Sequence, residues 1–365
     1  MSRYDLSRDE LAELLGDLPP YRTNQLWEGL YGRFAEPTEL RELPRALRAR
    51  LAALPKFAPA LDVEGERTAD AGETLKWLLR LADGGRIEAV LLHHPRRSTV
   101  CVSSQAGCAM ACTFCATGDA GLLRQLSTGE IVEQVVLAAR AARRAGRRLD
   151  HVVFMGMGEP LANFGNVWRA IERIIDDIGV AARHVTVSTV GVIPGIRRLA
   201  AAPRQVNLAV SLHAANDTLR NGLVPLNRRY PLGDLVAACA DYFAATHRRI
   251  SFEWALIAGV NDTDSDADEL AALSRELHAH VNLMPLNPTP GGIGRGLVGS
   301  PRRRVLAFQG RLADKGVNAT VRRARGRAIE AACGQLATVR GQALPAVSAG
   351  HLGPSGADAT PASRR

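Results

Sequence analysis

Residues 101–115 read Cys101-Val-Ser-Ser-Gln-Ala-Gly-Cys108-Ala-Met-Ala-Cys112-Thr-Phe-Cys115. Three of the cysteines follow the spacing C-x-x-x-C-x-x-C, so their side chains can converge on one centre without a long loop. A structural zinc site prefers four protein ligands, whereas a 4Fe–4S cube held by three thiolates keeps one iron open for a substrate. The spacing favours an iron–sulfur cluster on Cys108, Cys112 and Cys115, with Phe114 in its apolar surroundings.

The same cysteines allow two other interpretations. One is a zinc site completed by His151, and the other is three unconnected thiols. Six cysteines are an even number, but their tight grouping and the cytosolic setting expected below argue against a disulfide framework.

The composition is that of a globular protein. The 365 residues suffice for one large domain and a small one. The hydrophobic fraction is 46%, and no apolar run is long enough to cross a membrane. Because the first residues, MSRYDLSRDE, do not resemble a signal peptide, we expect a cytoplasmic protein without a membrane segment.

The charge balance suggests a polyanionic partner. The 46 Lys and Arg exceed the 37 Asp and Glu, giving a net charge of +9. Nearly all the cations are arginines, whose planar fork suits phosphate, so RNA is a natural partner. An arginine-rich proteome from a GC-rich genome would give the same excess.

Residues 1–72 are predicted to form a small helical module. Ser7-Arg-Asp-Glu10 is a capping box that begins the first helix, and a second helix covers residues 23–31. The third helix carries four leucines, Leu40, Leu43, Leu47 and Leu51. The arginines around these helices are Arg22, Arg33, Arg45, Arg48 and Arg50. The module is either an RNA-binding accessory domain or a packing domain with a solvated face.

Residues 73–97 are predicted to form a hairpin that leads into the main domain. Strands at 74–82 and 86–94 flank Asp83-Gly84-Gly85, which is a hairpin turn signal. Glu88 lies in the second strand, and a carboxylate in an apolar strand usually marks the solvent-facing side.

Strands and helices alternate through residues 98–347. Strands are predicted at residues 98–104, 151–154, 185–189, 205–212, 250–257, 281–286 and 318–322. Helices are predicted from residue 127, after residue 160, and at residues 194–200, 232–243, 265–278 and 301–315. Six or seven such units indicate an α/β fold with a parallel barrel, complete or partial. Residues 348–365 are rich in Gly, Ala, Ser and Pro and are predicted to be disordered.

Polar residues recur where the predicted strands end, which is where α/β barrels place their functional groups. Gly156-Met-Gly158-Glu159-Pro160 follows one strand, and its glycines let backbone approach a ligand. The corresponding residues on later strands are Ser188, Ser211, Leu212, His213 and Asn287. Each alone is typical of a cap or turn, but their shared position favours one binding site.

Three further cysteines lie outside the triplet. The residues that precede Cys333 in the chain are rich in arginine, and this positive charge favours an exposed, thiolate-prone sulfur. These arginines are Arg322, Arg323, Arg325 and Arg327. Cys101 ends a strand and could reach the same chamber. Cys239 shares an apolar helical face with Leu235, Val236 and Phe243, which favours a place in the core.

Seven segments together resemble the RNA adenine-carbon-2 methyltransferases of the RlmN type, in the radical S-adenosylmethionine (radical SAM) superfamily. Six of them are sequence motifs, CVSSQAGCAMACTFCATG, GMGEPLAN, VSTVG, SLHAAND, PLNP and RGRAIEAACGQLA, and the seventh is the stretch of alternating strands and helices between them; the match covers about residues 5–340. The resemblance implies a partial (β/α)6 radical SAM barrel with a small N-terminal helical domain. The sequence departs from the family at Asp119, where we expect an uncharged residue, and in the tail.

The resemblance also implies a role for each matching residue. Cys108, Cys112 and Cys115 would hold a 4Fe–4S cluster. S-adenosyl-L-methionine would be bound by Gly158, Glu159, Ser188, Ser211, Leu212, His213 and Asn287. Cys333 would accept a methyl group from one cofactor molecule and, after hydrogen abstraction by a radical from a second, would form a covalent adduct with RNA. Cys101 would release the product through a disulfide with Cys333, and Glu88 would accept the carbon-2 proton.

The implied substrate is an adenosine in the peptidyl-transferase region of 23S rRNA, and also one in tRNA. A flavodoxin or ferredoxin would supply electrons, and we expect a monomer. The glycine-rich segment 291–299, followed by Arg302, Arg303 and Arg304, is a candidate RNA contact, with a solvated loop as the alternative.

Three other functions remain open on these motifs. A carbon-8 adenine methyltransferase of the antibiotic-resistance type shares the cysteine pair. A radical SAM enzyme for a small molecule would not need Cys101, Cys333 or the positive charge. An RNA-binding protein with structural zinc would contain no iron.

Overall fold

The N-terminal part is helical up to about residue 57. The computed structural model describes residues 2–322 and 325–336, so the tail predicted from residue 348 lies outside the described residues. Helices α1 (Arg8–Leu15), α2 (Tyr21–Tyr31) and α3 (Arg45–Ala53) come first. The Ser7 hydroxyl accepts the Glu10 N–H and the Glu10 carboxylate accepts the Ser7 N–H, which confirms the predicted capping box.

The third helix is shorter than predicted. Leu40 and Leu43 are buried, but they lie in the turn before α3, whose first residue is Arg45. Pro44 explains the difference, because proline has no N–H and its ring collides with the preceding helical turn. A helix can therefore begin after Pro44 but cannot run through it.

Residues 61–69 form a strand, so their assignment to the helical module was wrong. Strand β1 (Leu61–Ala69) pairs antiparallel with β2 (Thr74–Leu81), which pairs antiparallel with β3 (Arg86–His94). The β2–β3 hairpin matches the prediction. Strand β1 is an edge strand that is mostly exposed, so it carries little of the apolar alternation by which strands are recognised.

The strands that follow alternate with helices. They are β4 (Arg97–Cys101), β5 (Gln105–Gly107), β6 (Leu122–Gln125), β7 (Leu149–Phe154), β8 (Val185–Thr189), β9 (Asn207–Ser211), β10 (Ser251–Leu256), β11 (His280–Pro285) and β12 (Ala319–Val321). The helices are α4 (Ala116–Asp119), α5 (Thr128–Arg144), α6 (Phe164–Glu172), α7 (Ile193–Ala200), α8 (Asp217–Leu223), α9 (Leu232–Thr246), α10 (Asp264–Glu276), α11 (Pro290–Gly294) and α12 (Arg302–Asp314). A π-helical turn, Arg173–Asp177, continues α6.

The main sheet has ten strands in the order β1-β2-β3-β4-β7-β8-β9-β10-β11-β12. Strands β4 and β7 to β12 are parallel, while β1 to β3 extend the sheet antiparallel beyond β4. Strands β5 and β6 form a separate pair beside the cysteine loop. The predicted α/β fold with a partial parallel barrel is confirmed, and the hairpin is part of the barrel sheet.

Apolar side chains fill the space between the parallel sheet and its helices. Val187, Leu208 and Phe252 are buried on the strands, and Cys239 is buried on α9, which confirms its predicted place in the core. The helical module is attached to this body, since the Trp27 indole N–H donates to Asp177 in the π-helical turn at 2.9 Å. Among the described residues, no helix has the length and apolar character needed to cross a membrane.

Candidate active site

A cavity that opens to solvent lies at the carboxyl ends of the parallel strands, and the space in it and at its mouth is about 1070 Å³. Ten of the predicted site residues line it, namely Cys108, Cys112, Cys115, Gly158, Glu159, Ser188, Ser211, His213, Asn287 and Cys333. The carboxyl ends of parallel strands meet at one edge of a barrel, which is why residues far apart in the sequence share this cavity.

The three clustered cysteines lie in the loop between β5 and α4. The Cys108 N–H donates to Gly121 O at 2.9 Å, and the Cys115 N–H donates to Cys112 O at 3.1 Å. Burial raises the pKa of Cys108 to about 12 and also raises the pKa of Cys112, because a thiolate is poorly solvated there. A bound metal centre supplies the positive charge that such thiolates need.

Three thiolates fit a 4Fe–4S cube, which takes one protein ligand on each of three irons. Among residues 2–322 and 325–336, no three His, Cys, Asp or Glu side chains are positioned to hold a single metal ion. His151 stacks on His184 with 4.3 Å between ring centroids and is not part of the cavity lining, so the fourth ligand of the zinc alternative lies away from the three cysteines. In a cube each thiolate binds a different iron, so three cysteines spread around one cavity can hold it.

The segment before the cysteines supports the loop after β7. The Glu159 N–H donates to Gln105 Oε1 at 2.7 Å, and the Met157 N–H donates to Ser103 Oγ at 2.9 Å. A Cβ on Gly156 would lie 2.6 Å from Val102 O, and Gly158 has a φ of +99°. The two motifs CVSSQ and GMGEP therefore form one unit, and the glycines permit their close approach.

The Glu159 carboxylate is buried between the ends of β7 and β8. Its Oε1 accepts the Leu161 N–H at 3.0 Å and its Oε2 accepts the Val190 N–H at 2.9 Å. Burial raises the pKa of Glu159 to about 7. The carboxylate has a fixed orientation in the cavity wall, where an ammonium group would compensate its charge.

His213 presents a neutral ring to the cavity. Burial lowers its pKa to about 3, and its Nδ1 accepts the Ala255 N–H at 3.0 Å, which assigns the proton to Nε2. Its ring meets Phe114 edge to face, with 4.6 Å between centroids. Ser188 and Ser211 lie nearby with their hydroxyl oxygens 3.5 Å apart.

Leu212 is placed differently from the other predicted binding residues. Its side chain is buried and is not part of the cavity lining. Its N–H donates to Glu253 O, and its carbonyl accepts from Arg220 Nε at 3.0 Å. A cofactor contact by Leu212 stays a prediction.

The segment 325–336 carries Cys333 to the cysteine loop. The Ala116 N–H donates to Gly334 O at 2.9 Å, and Asn287 Nδ2 donates to Cys333 O at 3.2 Å. The Cys333 side chain is exposed, as predicted, but it faces the cavity. The prediction of a thiolate-prone sulfur was wrong: although water reaches the side chain through the cavity, the surrounding walls desolvate the sulfur and raise the pKa of Cys333 more than Arg322 lowers it.

Cys101, Glu88 and Lys76 share one face of the sheet. Val90 pairs with both Lys76 and Cys101, and Glu88 lies two residues before Val90. Glu88 was expected to face solvent, but it is buried. Its burial is possible because Lys76 Nζ lies 2.8 Å from its Oε1 and compensates its charge. Lys76 also donates to Glu330 O, so the segment that carries Cys333 covers this face.

Neither Cys101 nor Glu88 lines the cavity. Cys101 lies close enough to Cys333 that a negative charge on Cys333 contributes to the raised pKa of Cys101. Burial is the larger cause of that shift. Both cysteines are free thiols.

Sequence reasoning missed two buried charged residues, Arg220 and Glu253. Arg220 donates to four acceptors: Leu212 O, Ser211 O, Val190 O and Asn227 Oδ1. Its burial lowers its pKa to about 10. Arg220 comes three residues after the SLHAAND motif, and Glu253 stands between two aromatic residues in a parallel strand. A charge inside a fully buried strand is the signal that could have identified Glu253.

Replacing Arg220 with leucine will lower the free energy of unfolding by about 3–5 kcal/mol, because several buried acceptors lose their donor. Urea denaturation followed by circular dichroism measures this change. The exposed Arg228 provides a matched control, and Arg228→Leu should stay within about 0.5 kcal/mol of the wild type. Equal losses in the two variants would refute the organising role of Arg220.

Known proteins resemble this chain over nearly its whole length. The radical SAM superfamily pattern matches residues 102–273. A probable dual-specificity RNA methyltransferase RlmN from Roseiflexus castenholzii is 49% identical over 92% of this chain and 95% of its own length. The protein of that name from Mycobacterium tuberculosis is 50% identical over 91% of this chain and 92% of its own length.

A solved structure shows the same architecture. The crystal structure of a radical SAM methyltransferase from Sphaerobacter thermophilus superposes with a TM-score of 0.88 at 50% identity, over 92% of this chain and 99% of that chain. The motifs at the strand ends, the extent of the match and this superposition agree. The chain belongs to the RlmN family of the radical SAM superfamily.

Proposed function

We propose that the protein methylates carbon 2 of an adenosine in 23S rRNA, in the peptidyl-transferase region, and of an adenosine in tRNA. The observation that carries this proposal is the position of Cys333, which lines one cavity with the three clustered cysteines and neighbours Cys101. A radical enzyme for a small molecule needs neither of these two thiols. The names of the relatives support an RNA substrate.

The cofactors implied by the family fit the residues present. Cys108, Cys112 and Cys115 would hold a 4Fe–4S cluster, and Glu159 would receive the ammonium of S-adenosyl-L-methionine. Together these groups supply a methyl group and a radical able to abstract hydrogen. The neutral His213 would offer Nε2–H as a donor, while Ser188, Ser211 and Asn287 would offer further polar contacts.

The chain's own thiols would handle the carbon that is transferred. Cys333 would be methylated on sulfur, and the radical that the cofactor supplies would remove one hydrogen from that methyl group. The carbon would then bond to adenine carbon 2, which ties the RNA to the protein, with one electron passing to the redox centre that the three clustered cysteines would hold. Cys101 would attack the Cys333 sulfur, so that a disulfide forms and the carbon–sulfur bond breaks. The released carbon keeps the bonding electron pair and takes up a proton, which gives the methyl group of the product. Covalent attachment divides a difficult methyl transfer to an electrophilic carbon into two easier steps.

Glu88 is the proposed acceptor of the carbon-2 proton. It lies on the same sheet face as Cys101, beneath the segment that carries Cys333. Lys76 holds its Oε1 at 2.8 Å and so fixes its position. Because Glu88 does not line the cavity, contact with the base requires the covering segment to shift when RNA binds.

The glycine-rich segment 291–299 is held beside the cysteine loop. Arg295 lies 2.7 Å from Asp119 and also donates to Thr113 O at 3.0 Å. Asp119, the departure from the family pattern, is therefore the partner of this loop. Ile293 and Val298 remain exposed on the segment, which supports its role as a contact for an unstacked base. The electron donor, the monomeric state and the cytoplasmic location stay predictions.

Nucleoside analysis will test the function. We expect protein purified without oxygen, given methyl-deuterated S-adenosyl-L-methionine, a reductant and a 23S rRNA fragment, to yield labelled 2-methyladenosine. A tRNA substrate tests the second specificity. Labelled 8-methyladenosine would instead assign the carbon-8 reaction. Formation of 5′-deoxyadenosine without any labelled nucleoside would indicate a small-molecule substrate, and purified protein with zinc but no iron would indicate the RNA-binding alternative.

A further inference from the structure

Glu253 is a buried acid in the cavity wall that the proposed reaction does not use. It lies on β10 and is 5% exposed. Its Oε1 accepts from Asn282 Nδ2 at 2.8 Å. Its Oε2 is buried and accepts no hydrogen bond from the described residues, although Arg322 Nη1 lies 3.8 Å away. Burying a carboxylate oxygen without a donor is costly, so the site is built to receive one.

The strand register shows where this oxygen lies. Ser211, Glu253 and Asn282 are direct neighbours on β9, β10 and β11, so they form a polar row across the sheet. Glu159 stands at the end of β7, on the other side of this row, and Arg322 follows β12. Glu253 is therefore on the side of the cavity towards Arg322, away from the strand that carries Glu159.

The surroundings of Glu253 place it with Cys333. Both residues line the cavity, and they are close enough that a negative charge on Glu253 contributes to the raised pKa of Cys333. Glu253 therefore lies near Cys333, the thiol that is proposed to bond to the base. Arg322, which is partly exposed, provides positive charge on the same side of the cavity.

We propose that Glu253 accepts a hydrogen bond from the exocyclic amine of the target adenine and so selects adenine over guanine. This inference rests on the function proposed above. In adenine, carbon 6 bears the amine and is separated from carbon 2 only by N1. When carbon 2 lies at Cys333, the amine therefore lies within reach of a residue next to Cys333, such as Glu253. A carboxylate only accepts hydrogen bonds, so it suits the adenine amine and repels the O6 oxygen of guanine.

A ribose hydroxyl of the cofactor is the other donor that could reach this oxygen. The position of Glu253 favours the amine of the base over the ribose as this donor. Ser188 and Ser211 lie between Glu159 and Glu253 and can themselves bind a ribose hydroxyl. Arg322 on the far side of Glu253 marks the direction from which an anionic RNA would enter.

The test combines an enzyme variant with a substrate variant. Wild type and Glu253→Ala are each given RNA with adenine, or with unsubstituted purine, which lacks the amine, at the target position. We expect wild type to prefer adenine by roughly 100-fold in kcat/KM, and Glu253→Ala to reduce this preference to about twofold. RNA affinity measured without turnover should show the same loss of preference. Glu276→Ala, at an exposed position on α10, is the matched control and should keep the wild-type preference.

Two results would overturn the inference. If Glu253→Ala keeps the full preference for adenine, the amine is read elsewhere. If instead it loses affinity for S-adenosylhomocysteine in calorimetry without RNA, Glu253 binds the cofactor's ribose. Should Glu253→Ala not fold, Glu253→Leu gives the same comparison, because it fills similar space and has no hydrogen-bond acceptor. A wild type that methylates neither RNA would refute the proposed function, and the inference with it.

Discussion

Cys333→Ala will abolish RNA methylation, lowering its rate by at least about a thousandfold, while the protein remains folded. The sulfur faces the cavity, so its removal leaves no hole in a packed core. The contacts that hold this segment, from Ala116 to Gly334 O and from Asn287 to Cys333 O, use backbone carbonyls and survive the substitution. We therefore expect the thermal stability to change little. Peptide mass spectrometry should find one methyl group on Cys333 in the wild type.

The variant Cys101→Ala distinguishes the proposed carrier role of Cys333 from the proposed release role of Cys101. This variant should still accept a methyl group on Cys333 but should accumulate a covalent protein–RNA adduct, because the thiol that releases the product is missing. Gel electrophoresis in denaturant detects that adduct. Full methylation activity in Cys333→Ala would exclude the carrier role, and the absence of any adduct in Cys101→Ala would exclude the release role.

Local signals in the sequence were enough for most of the barrel. The order of the strands from β7 to β12 and of the longer helices between them follows from apolar runs bounded by turn residues, whereas the short helices α8 and α11 were not predicted. The cap at Ser7 follows from a four-residue pattern. The grouping of Glu159, Ser188 and His213 was predictable because parallel strands end at one edge. Such rules depend on neighbours in the chain or on one general property of the fold.

Features that depend on distant pairing were not predictable. Strand β1 is defined by its partner β2, since its own side chains are mostly exposed and polar. The burial of Glu88 depends on Lys76, and the raised pKa of Cys333 depends on walls supplied by several strands. Arg220 lies on a short helix whose sequence gives no sign of the carbonyl groups it reaches. In each case the deciding contact joins separate elements, so no window of sequence contains it.

We expect Cys112→Ala to remove the proposed iron–sulfur centre and with it all activity. With two thiolates left, the cluster loses one of its three protein bonds, and we expect iron to fall from about four atoms per chain to near zero. Cys112 packs with Phe114 and Ala214 in an apolar cluster, so the substitution also leaves a small cavity. A loss of activity alone would therefore not separate metal loss from a loss of packing.

Cys239→Ala is the matched control that separates the loss of metal from the loss of packing. Cys239 is as deeply buried as Cys112 but lies on α9, outside the cavity lining, so both variants lose a buried sulfur of the same size. Both should lose about 1 kcal/mol of stability from packing, and only Cys112→Ala should lose iron and sulfide. Analysis of iron and sulfide, together with the visible absorbance of the purified proteins, makes the comparison. Equal iron in the two variants would exclude Cys112 as a ligand, whereas loss of zinc from Cys112→Ala alone would restore the zinc interpretation.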